Sequence, residues 1–208
     1  MPVIAVDGPA ASGKGTIASA LARRFGLPHM DTGLLYRAVA LTLWRWGGDP
    51  ASEFEALRAC ADMNLDAGDE ELRSEAVSRI ASAISAYPGV RAALLDRQRD
   101  FAGQKGGAVL DGRDIGTVIA PDADLKLFVT ATAEARAARR LRELEDRGMH
   151  TSFEDVLDDI RTRDTRDTER ATAPLQQAGD AVLLDTTDLD RDAAIAEAIR
   201  IAEERLGR

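Results

Sequence analysis

Gly8-Pro9-Ala10-Ala11-Ser12-Gly13-Lys14-Gly15-Thr16 directly follows the apolar run Val3-Ile4-Ala5-Val6 and precedes Ile17, Leu21 and Phe25 at helical spacing. A strand feeding a glycine-rich turn, then a lysine and a helix start, gathers backbone N–H groups at a positive helix end, which suits a polyphosphate. All nine residues are candidate contacts to a nucleoside triphosphate, with Lys14 supplying the cation. The pattern Gly-x4-Gly-Lys-[Ser/Thr] is met only approximately, because position 15 is glycine and the hydroxyl arrives at Thr16. A metal ion travelling with the nucleotide would then be reached through Thr16, water and other carboxylates. A loop that merely turns a strand into a helix is the plainer alternative, and the flanking strand and periodic helix favour phosphate.

Further residues carry possible chemistry. Ala108-Val109-Leu110-Asp111-Gly112-Arg113-Asp114 ends an apolar strand in a carboxylate, and Asp111 is the candidate to hold Mg²⁺ or its water shell; an ordinary Asp-Gly turn is the alternative. In Asp31-Thr32-Gly33-Leu34-Leu35-Tyr36-Arg37, either Asp31 or Thr32 can cap a helix that carries Arg37 one turn in, a place for a phosphate or simply a capped, solvated helix start. Arg163, Arg166, Asp167 and Arg170 fall at i, i+3, i+4 and i+7, so three guanidinium groups and a carboxylate are expected on one helix face. A salt-bridged solvent face is the usual fate of such a run, but three cations together repel, and an anionic substrate would relieve them. Arg136, Arg139 and Arg140 repeat the spacing and can close over a triphosphate as a lid, neutralising charge during transfer. Arg91, after Tyr87-Pro88-Gly89-Val90, stands in the first turn of another helix.

The elements that must position these groups alternate short apolar strands with longer helices, which predicts an α/β fold, a parallel sheet covered by helices. Strands are expected near 2–6, 28–31, 107–110, 125–129 and 181–185, and helices over 14–25, 33–46, 52–62, 69–86, 89–101, 132–147, 153–169 and 190–206. Ser52-x-x-Glu55 and Thr151-x-x-Glu154 read as capping boxes. Ile195, Ile199, Ala202 and Leu206 form the expected core stripe of the last helix. About 75 residues between the second and third strands are too many for a single-helix crossover and predict an inserted helical subdomain. An arginine-rich helical hairpin from about 134 to 170, turning at Gly148, is a second candidate moving part.

At 208 residues and 45% hydrophobic, the chain can bury one sizeable core. Its net charge of -9 argues against nucleic acid or a membrane surface as partner. One cysteine, Cys60, and two histidines leave no internal disulfide and no cysteine-rich metal site, which fits a reducing cytosol. The N-terminus enters a strand at once, without a basic leader or a long apolar run, so a cytoplasmic protein is expected.

Asn64 is the only asparagine and Leu65 follows it, so the Asn-Lys-x-Asp motif that reads guanine is absent, as is a transporter-type Leu-Ser-Gly-Gly signature. No catalytic base stands out. Transfer to another phosphate needs none, because the acceptor oxygen is already largely ionised at neutral pH. Gly8 to Thr16, Asp31-Thr32-Gly33-x-x-Tyr36-Arg37, Val90-Arg91-x3-Leu95-x2-Arg97-Gln98-Arg99, Asp111-Gly112-Arg113-Asp114-x-Gly116-Thr117 and Arg163-Asp164-x-Arg166-Asp167 occur in one order over nearly the whole chain. Each is weak alone. Together they closely resemble the bacterial cytidylate kinases, a family of nucleoside monophosphate kinases.

That resemblance implies a three-layer P-loop fold: a five-stranded parallel core (1–33, 103–133, 171–208), a helical CMP-binding flap (34–102) and an arginine-rich lid (134–170) in one kinase domain. It implies transfer of the ATP γ-phosphoryl group to CMP or dCMP with Mg²⁺, by a chain expected to be a monomer. Lys14 would bridge the ATP phosphates, and Arg139 and Arg140 would close above them. Ser82, Arg91 and Asp114 would read cytosine, whose N4 donor suits a carboxylate and whose N3 and O2 suit a hydroxyl and a guanidinium. Arg113 and Arg170 would grip the CMP phosphate, joined by Arg163, which with Asp167 would reach the sugar. Thr32 stands where the family often carries serine. Family members often carry a longer, strand-rich insertion where Asn64-Leu65-Asp66-Ala67-Gly68-Asp69 passes directly between helices here, which implies a trimmed, more helical flap. A related kinase for UMP, AMP or a small hydroxyl compound, and a non-catalytic nucleotide sensor, are the competing readings.

Overall fold

The computed structural model describes residues 1–65 and 68–207. Five strands, β1 (Val3–Asp7), β2 (His29–Asp31), β3 (Ala108–Gly112), β4 (Leu125–Thr130) and β5 (Val182–Asp185), form one sheet in the order β2-β3-β1-β4-β5. β1 pairs in parallel with β3 and β4, and β4 with β5. The parallel sheet flanked by helices expected from the sequence is therefore present. The register sets Asp7 opposite Gly112 on one side and Phe128 on the other. The chain thus leaves β1 and β3 side by side at their carboxyl ends, where open α/β sheets hold ligands.

The chain divides into two compact units, Met1–Met30 with Ala102–Arg208, and Asp31–Phe101. In the first, α1 (Lys14–Phe25) and α9 (Arg191–Leu206) cover the sheet. Ile17 and Leu21 of α1 are buried with Ile4, Val6, Val109, Leu127 and Val129 of the strands. The buried stripe of α9 is Ala194, Ala198, Ile201 and Ala202, with Ile199 and Leu206 only partly covered. It is turned by about one position from the stripe expected, so that small alanines take the closest approach. α7 (Ala133–Asp146) and α8 (Phe153–Glu169) form the predicted hairpin around Gly148, stapled by Ala137, Leu144, Val156 and Ile160. α8 is capped one residue later than the sequence reading placed it: Ser152, not Thr151, accepts the Asp155 amide at 3.0 Å. Because α8 ends at Glu169, Arg170 stands just beyond it with φ −59° and ψ 139°. The expected four-residue face therefore breaks after Asp167.

The second unit consists of α2 (Thr32–Arg45), α3 (Glu53–Ala61), α4 (Asp69–Leu72), α5 (Glu75–Ile84) and α6 (Pro88–Ala102), a helical insertion as predicted. The helix expected over 69–86 is broken at Ser74, whose hydroxyl accepts the Val77 amide and caps α5. A serine before the periodic Val77, Ala81 and Ile84 competes for backbone donors and starts a new helix. Ser52 caps α3 as expected. Asp66 and Ala67, inside the short connection on which the trimmed flap was inferred, lie outside the described residues.

Candidate active site

The helices α2, α3, α5, α7, α8 and α9 each begin at a Ser, Thr or Asp whose side chain accepts a first-turn amide. α1 begins instead at Gly13, with φ 88°, no side-chain cap and no acid in its first turn. Its leading N–H groups are thereby left for an anion. The loop that presents them is sterically fixed. A Cβ on Gly8 would lie 2.0 Å from the Val129 carbonyl oxygen, and Ala11 already holds φ 57°. Val129 belongs to the buried β4 and cannot swing aside cheaply. Gly8→Ala is therefore expected to cost about 3 kcal/mol, at the upper end for overpacking. For a chain of this size that is roughly 6–12 °C in Tm, read by calorimetry, with ATP binding lost in parallel.

Lys14 donates from Nζ to the Pro9 carbonyl at 3.2 Å, so its ammonium rests at the rim of the loop. Thr16 is half-buried in the first turn of α1. Asp111, 3% exposed near the end of β3, turns Oδ2 toward the loop, 3.6 Å from where a Cβ on Gly15 would stand. Its Oδ1 lies 2.7 Å from Nε2 of His29 on β2. Among the described residues no three His, Cys, Asp or Glu side chains gather into a metal cage. One carboxylate and one hydroxyl at the phosphate loop nevertheless fit Mg²⁺, which keeps several waters and binds mainly through substrate phosphates.

Beyond β3 the chain makes one π-helical turn, Ile115–Ile119, absent from the sequence expectation. Its first amides, Ile115 and Gly116, donate to the two oxygens of Asp7 at 2.8 and 2.7 Å. Burial pushes the Asp7 carboxyl up to about 6, against those two amide bonds; nearby Asp114 raises it further and Arg113 lowers it. Asp7 therefore ties the end of β1, one residue before the phosphate loop, to the segment carrying Arg113 and Asp114.

That segment meets the end of α8 in a cluster of charge. Arg113 Nε donates to Asp167 Oδ2 at 2.7 Å, while Arg170 lies 3.5 Å from Asp114 and 3.7 Å from Asp167. The side chains of Arg170, Asp114 and Asp167 are 3%, 7% and 8% exposed. Burial would raise the Asp167 pKa, but Arg113, by charge and hydrogen bond, with Arg170 and Arg163, holds it below the usual carboxylate value. The cations are thus matched by carboxylates, Asp114 among them, which the face drawn from spacing alone had left out.

In the second unit Asp31 is the residue that caps α2, accepting the Gly33 amide at 2.9 Å, and Thr32 is buried beside it. Arg37 donates to the Leu72 carbonyl at 3.2 Å and to Ser78 Oγ at 2.5 Å. Ser82 on α5 and Arg91 on α6 are both 8% exposed, with the Arg91 guanidinium 5.8 Å from the Tyr36 ring centre. Of the arginines expected in a lid, Arg140 pairs with Glu143 at 2.9 Å. Arg139 donates to the hydroxyl and carbonyl of Thr186 and to the Leu189 carbonyl. Asp7, His29 and Thr186 were not singled out by sequence reasoning.

A family model described as Cytidylate kinase matches residues 4–204. The chain belongs to the cytidylate kinase family. The assignment made from five ordered motifs is borne out, and with it the P-loop phosphotransferase class. A protein of Methylocella silvestris named Cytidylate kinase is 57% identical over 202 residues, covering 97% of this chain and 94% of the relative. One of Xanthobacter autotrophicus with the same name is 58% identical over 205 residues, covering 98% of both. Among solved structures, an uncharacterized protein from Eubacterium ventriosum matches with a TM-score of 0.56 and 13% identity, over 100% of this chain and 99% of its own, a likeness of fold.

Proposed function

We propose that this chain transfers the γ-phosphoryl group of ATP to CMP or dCMP, giving ADP with CDP or dCDP. The observation that carries the reading is the buried cluster of Arg113, Asp114, Asp167 and Arg170. Buried charge is costly unless fully partnered. Here it offers forked donors that match a monophosphate and a carboxylate that matches the exocyclic amine of cytosine.

Arg113, Arg163 and Arg170 are assigned to the CMP phosphate, with Arg163 and Asp167 reaching the sugar. Asp114, Ser82 and Arg91 are assigned to the base, and Thr32 and Arg37 to the same nucleotide. Gly8, Pro9, Ala10, Ala11, Ser12, Gly13, Gly15 and Thr16 wrap the ATP phosphates through their backbone. Lys14 follows the γ-phosphoryl group, and Arg139 and Arg140 add positive charge from α7. Thr16 and Asp111 would hold Mg²⁺, directly or through water, and when bound the ion neutralises the phosphate oxygens. The acceptor phosphate is already ionised, so orientation and charge neutralisation carry the reaction without a general base. Among the described residues no helix is long and apolar enough to cross a membrane. The working form we propose is a cytoplasmic monomer without nucleic-acid or membrane partners, checked by light scattering.

The test is an acceptor panel with ATP and Mg²⁺. CMP and dCMP should react well, UMP poorly and AMP barely; equal turnover of AMP overturns the cytosine assignment. Single-turnover mixing that shows ATP and CMP bound without CDP forming would make the chain a sensor instead. In the same panel Asp114→Ala should shrink the CMP-to-UMP ratio of kcat/KM by roughly 10- to 100-fold, the worth of one lost base contact. Full CMP preference in that variant removes Asp114 from base recognition.

A further inference from the structure

Arg136 of α7 is 4% exposed, and its guanidinium is used in three directions. Nε donates to the Ala131 carbonyl at 2.9 Å, Nη1 to the Ala10 carbonyl of the phosphate loop at 3.2 Å, and the fork grips Asp164 of α8 at 2.9 and 2.6 Å. One turn further along α7, Arg139 Nη1 donates to the Thr186 hydroxyl at 3.0 Å. That hydroxyl lies 3.2 Å from the Ser12 carbonyl and 3.1 Å from the Thr130 carbonyl. Thr130 also accepts the Thr186 amide at 2.8 Å and keeps a second lone pair, so the single hydroxyl proton is shared between the Ser12 and Thr130 carbonyls. Thr186 is 1% exposed.

Two loop carbonyls, at positions 10 and 12, are therefore held from the side of α7 and the β5–α9 connection. In a trans peptide the C=O of one residue and the N–H of the next point in opposite directions. Holding the Ala10 carbonyl sets the Ala11 N–H, and holding the Ser12 carbonyl sets the Gly13 N–H. Both residues have left-handed backbones, with φ 57° at Ala11 and 88° at Gly13, which glycine adopts freely and alanine does not. An alanine there costs on the order of 1 kcal/mol and keeps the conformation only where its surroundings over-determine it. Only an arginine can meet Ala131, Ala10 and Asp164 together, since a lysine ammonium lacks the planar fork.

We infer that Arg136, held by Asp164, and Thr186 are positioning residues that preset the amide donors of the phosphate loop for ATP by fixing the carbonyls of Ala10 and Ser12. The inference rests on the proposed reading only in that the loop holds ATP; it is independent of the acceptor.

The experiment compares Thr186→Val, which keeps the shape and loses the hydroxyl, with Thr186→Ser, which keeps the hydroxyl and loses a methyl. Binding of ATP, ADP and CMP is measured separately by titration calorimetry, beside Arg136→Lys. Thr186→Val should weaken ATP and ADP about five- to tenfold, the worth of one hydrogen bond, with CMP unchanged. Thr186→Ser should restore the nucleotide affinity, and Arg136→Lys, if folded, should weaken ATP at least as much as Thr186→Val. A purely packing role would reverse the first two, with serine the weaker binder. A folded Thr186→Val that binds ATP like the wild type, or that loses ATP and CMP in equal proportion, overturns the inference, and this pair decides it even where Arg136→Lys does not fold. A wild type that binds ATP but leaves CMP unphosphorylated sinks the proposed reaction and leaves the inference standing; one that binds no ATP sinks both.

Discussion

Lys14→Ala is expected to lower kcat about 10²- to 10³-fold while the protein stays folded, the effect of removing one preorganised charge from a transition state. The lysine is half-buried at the loop rim, where its Nζ donates to the Pro9 carbonyl at 3.2 Å. Lys14 lies outside the packed cores of the sheet and of the α7–α8 hairpin, so the variant should keep its melting temperature within about 2 °C. The loop amides of Gly13 and its neighbours still bind the ground-state phosphates. The charge that shifts as the γ-phosphoryl group leaves then has no mobile cation to follow it. The loss should therefore fall on kcat more than on KM for ATP. Lys14→Arg should not restore the rate, because a planar fork cannot replace a compact ammonium at that rim. Steady-state kinetics with both substrates varied decides the point: a rise in KM alone assigns Lys14 to binding rather than to transfer.

What was legible in the sequence was what is local. The phosphate loop, its strand and its helix lie within Val3 to Phe25, and period and glycine placement describe them completely. The helical insertion was legible as a length too great for one crossover. What escaped were contacts between distant segments. Asp7 reaches Ile115 and Gly116 across 108 and 109 residues, and Arg136 reaches Ala10 across 126. An aspartate ending a strand, or an arginine on a helix, has no periodic signature that names its partner. His29 was similarly silent, because only the adjacency of β2 and β3 brings it to Asp111. The end of α8 at Glu169 was read correctly, but Arg170 was still counted onto its charged face, one residue beyond the helix. That error had a consequence: Arg170 is not a fourth member of a helical stripe but a turn residue, and this lets it reach both Asp114 and Asp167.

That placement makes Arg170→Ala the second large effect, because one side chain there serves both stability and substrate. Its removal leaves Asp114 without this cation and leaves Asp167 with Arg113 and the more weakly acting Arg163. Deleting one member of a buried ion cluster costs about 3–5 kcal/mol. The pH dependence has a definite sign. Asp167 is held below the usual carboxylate value partly by Arg170, so the pairing stabilises the fold above the unfolded-state value and is lost on acidification. The deficit of Arg170→Ala should thus be fully present at pH 7 and shrink below about pH 4, where the carboxylates protonate. Urea unfolding at several pH values reads this; a deficit independent of pH would mean that the lost packing of the side chain, not its charge, was the cause. Catalysis separates from folding by substrate. A protein that is merely less folded loses kcat with both KM values unchanged, whereas loss of a phosphate grip raises KM for CMP and spares that for ATP. Arg170→Lys sharpens the distinction, since it returns the charge to Asp114 and Asp167 without the fork. It should recover much of the stability and little of the CMP affinity, and recovery of both together would place Arg170 in the scaffold alone.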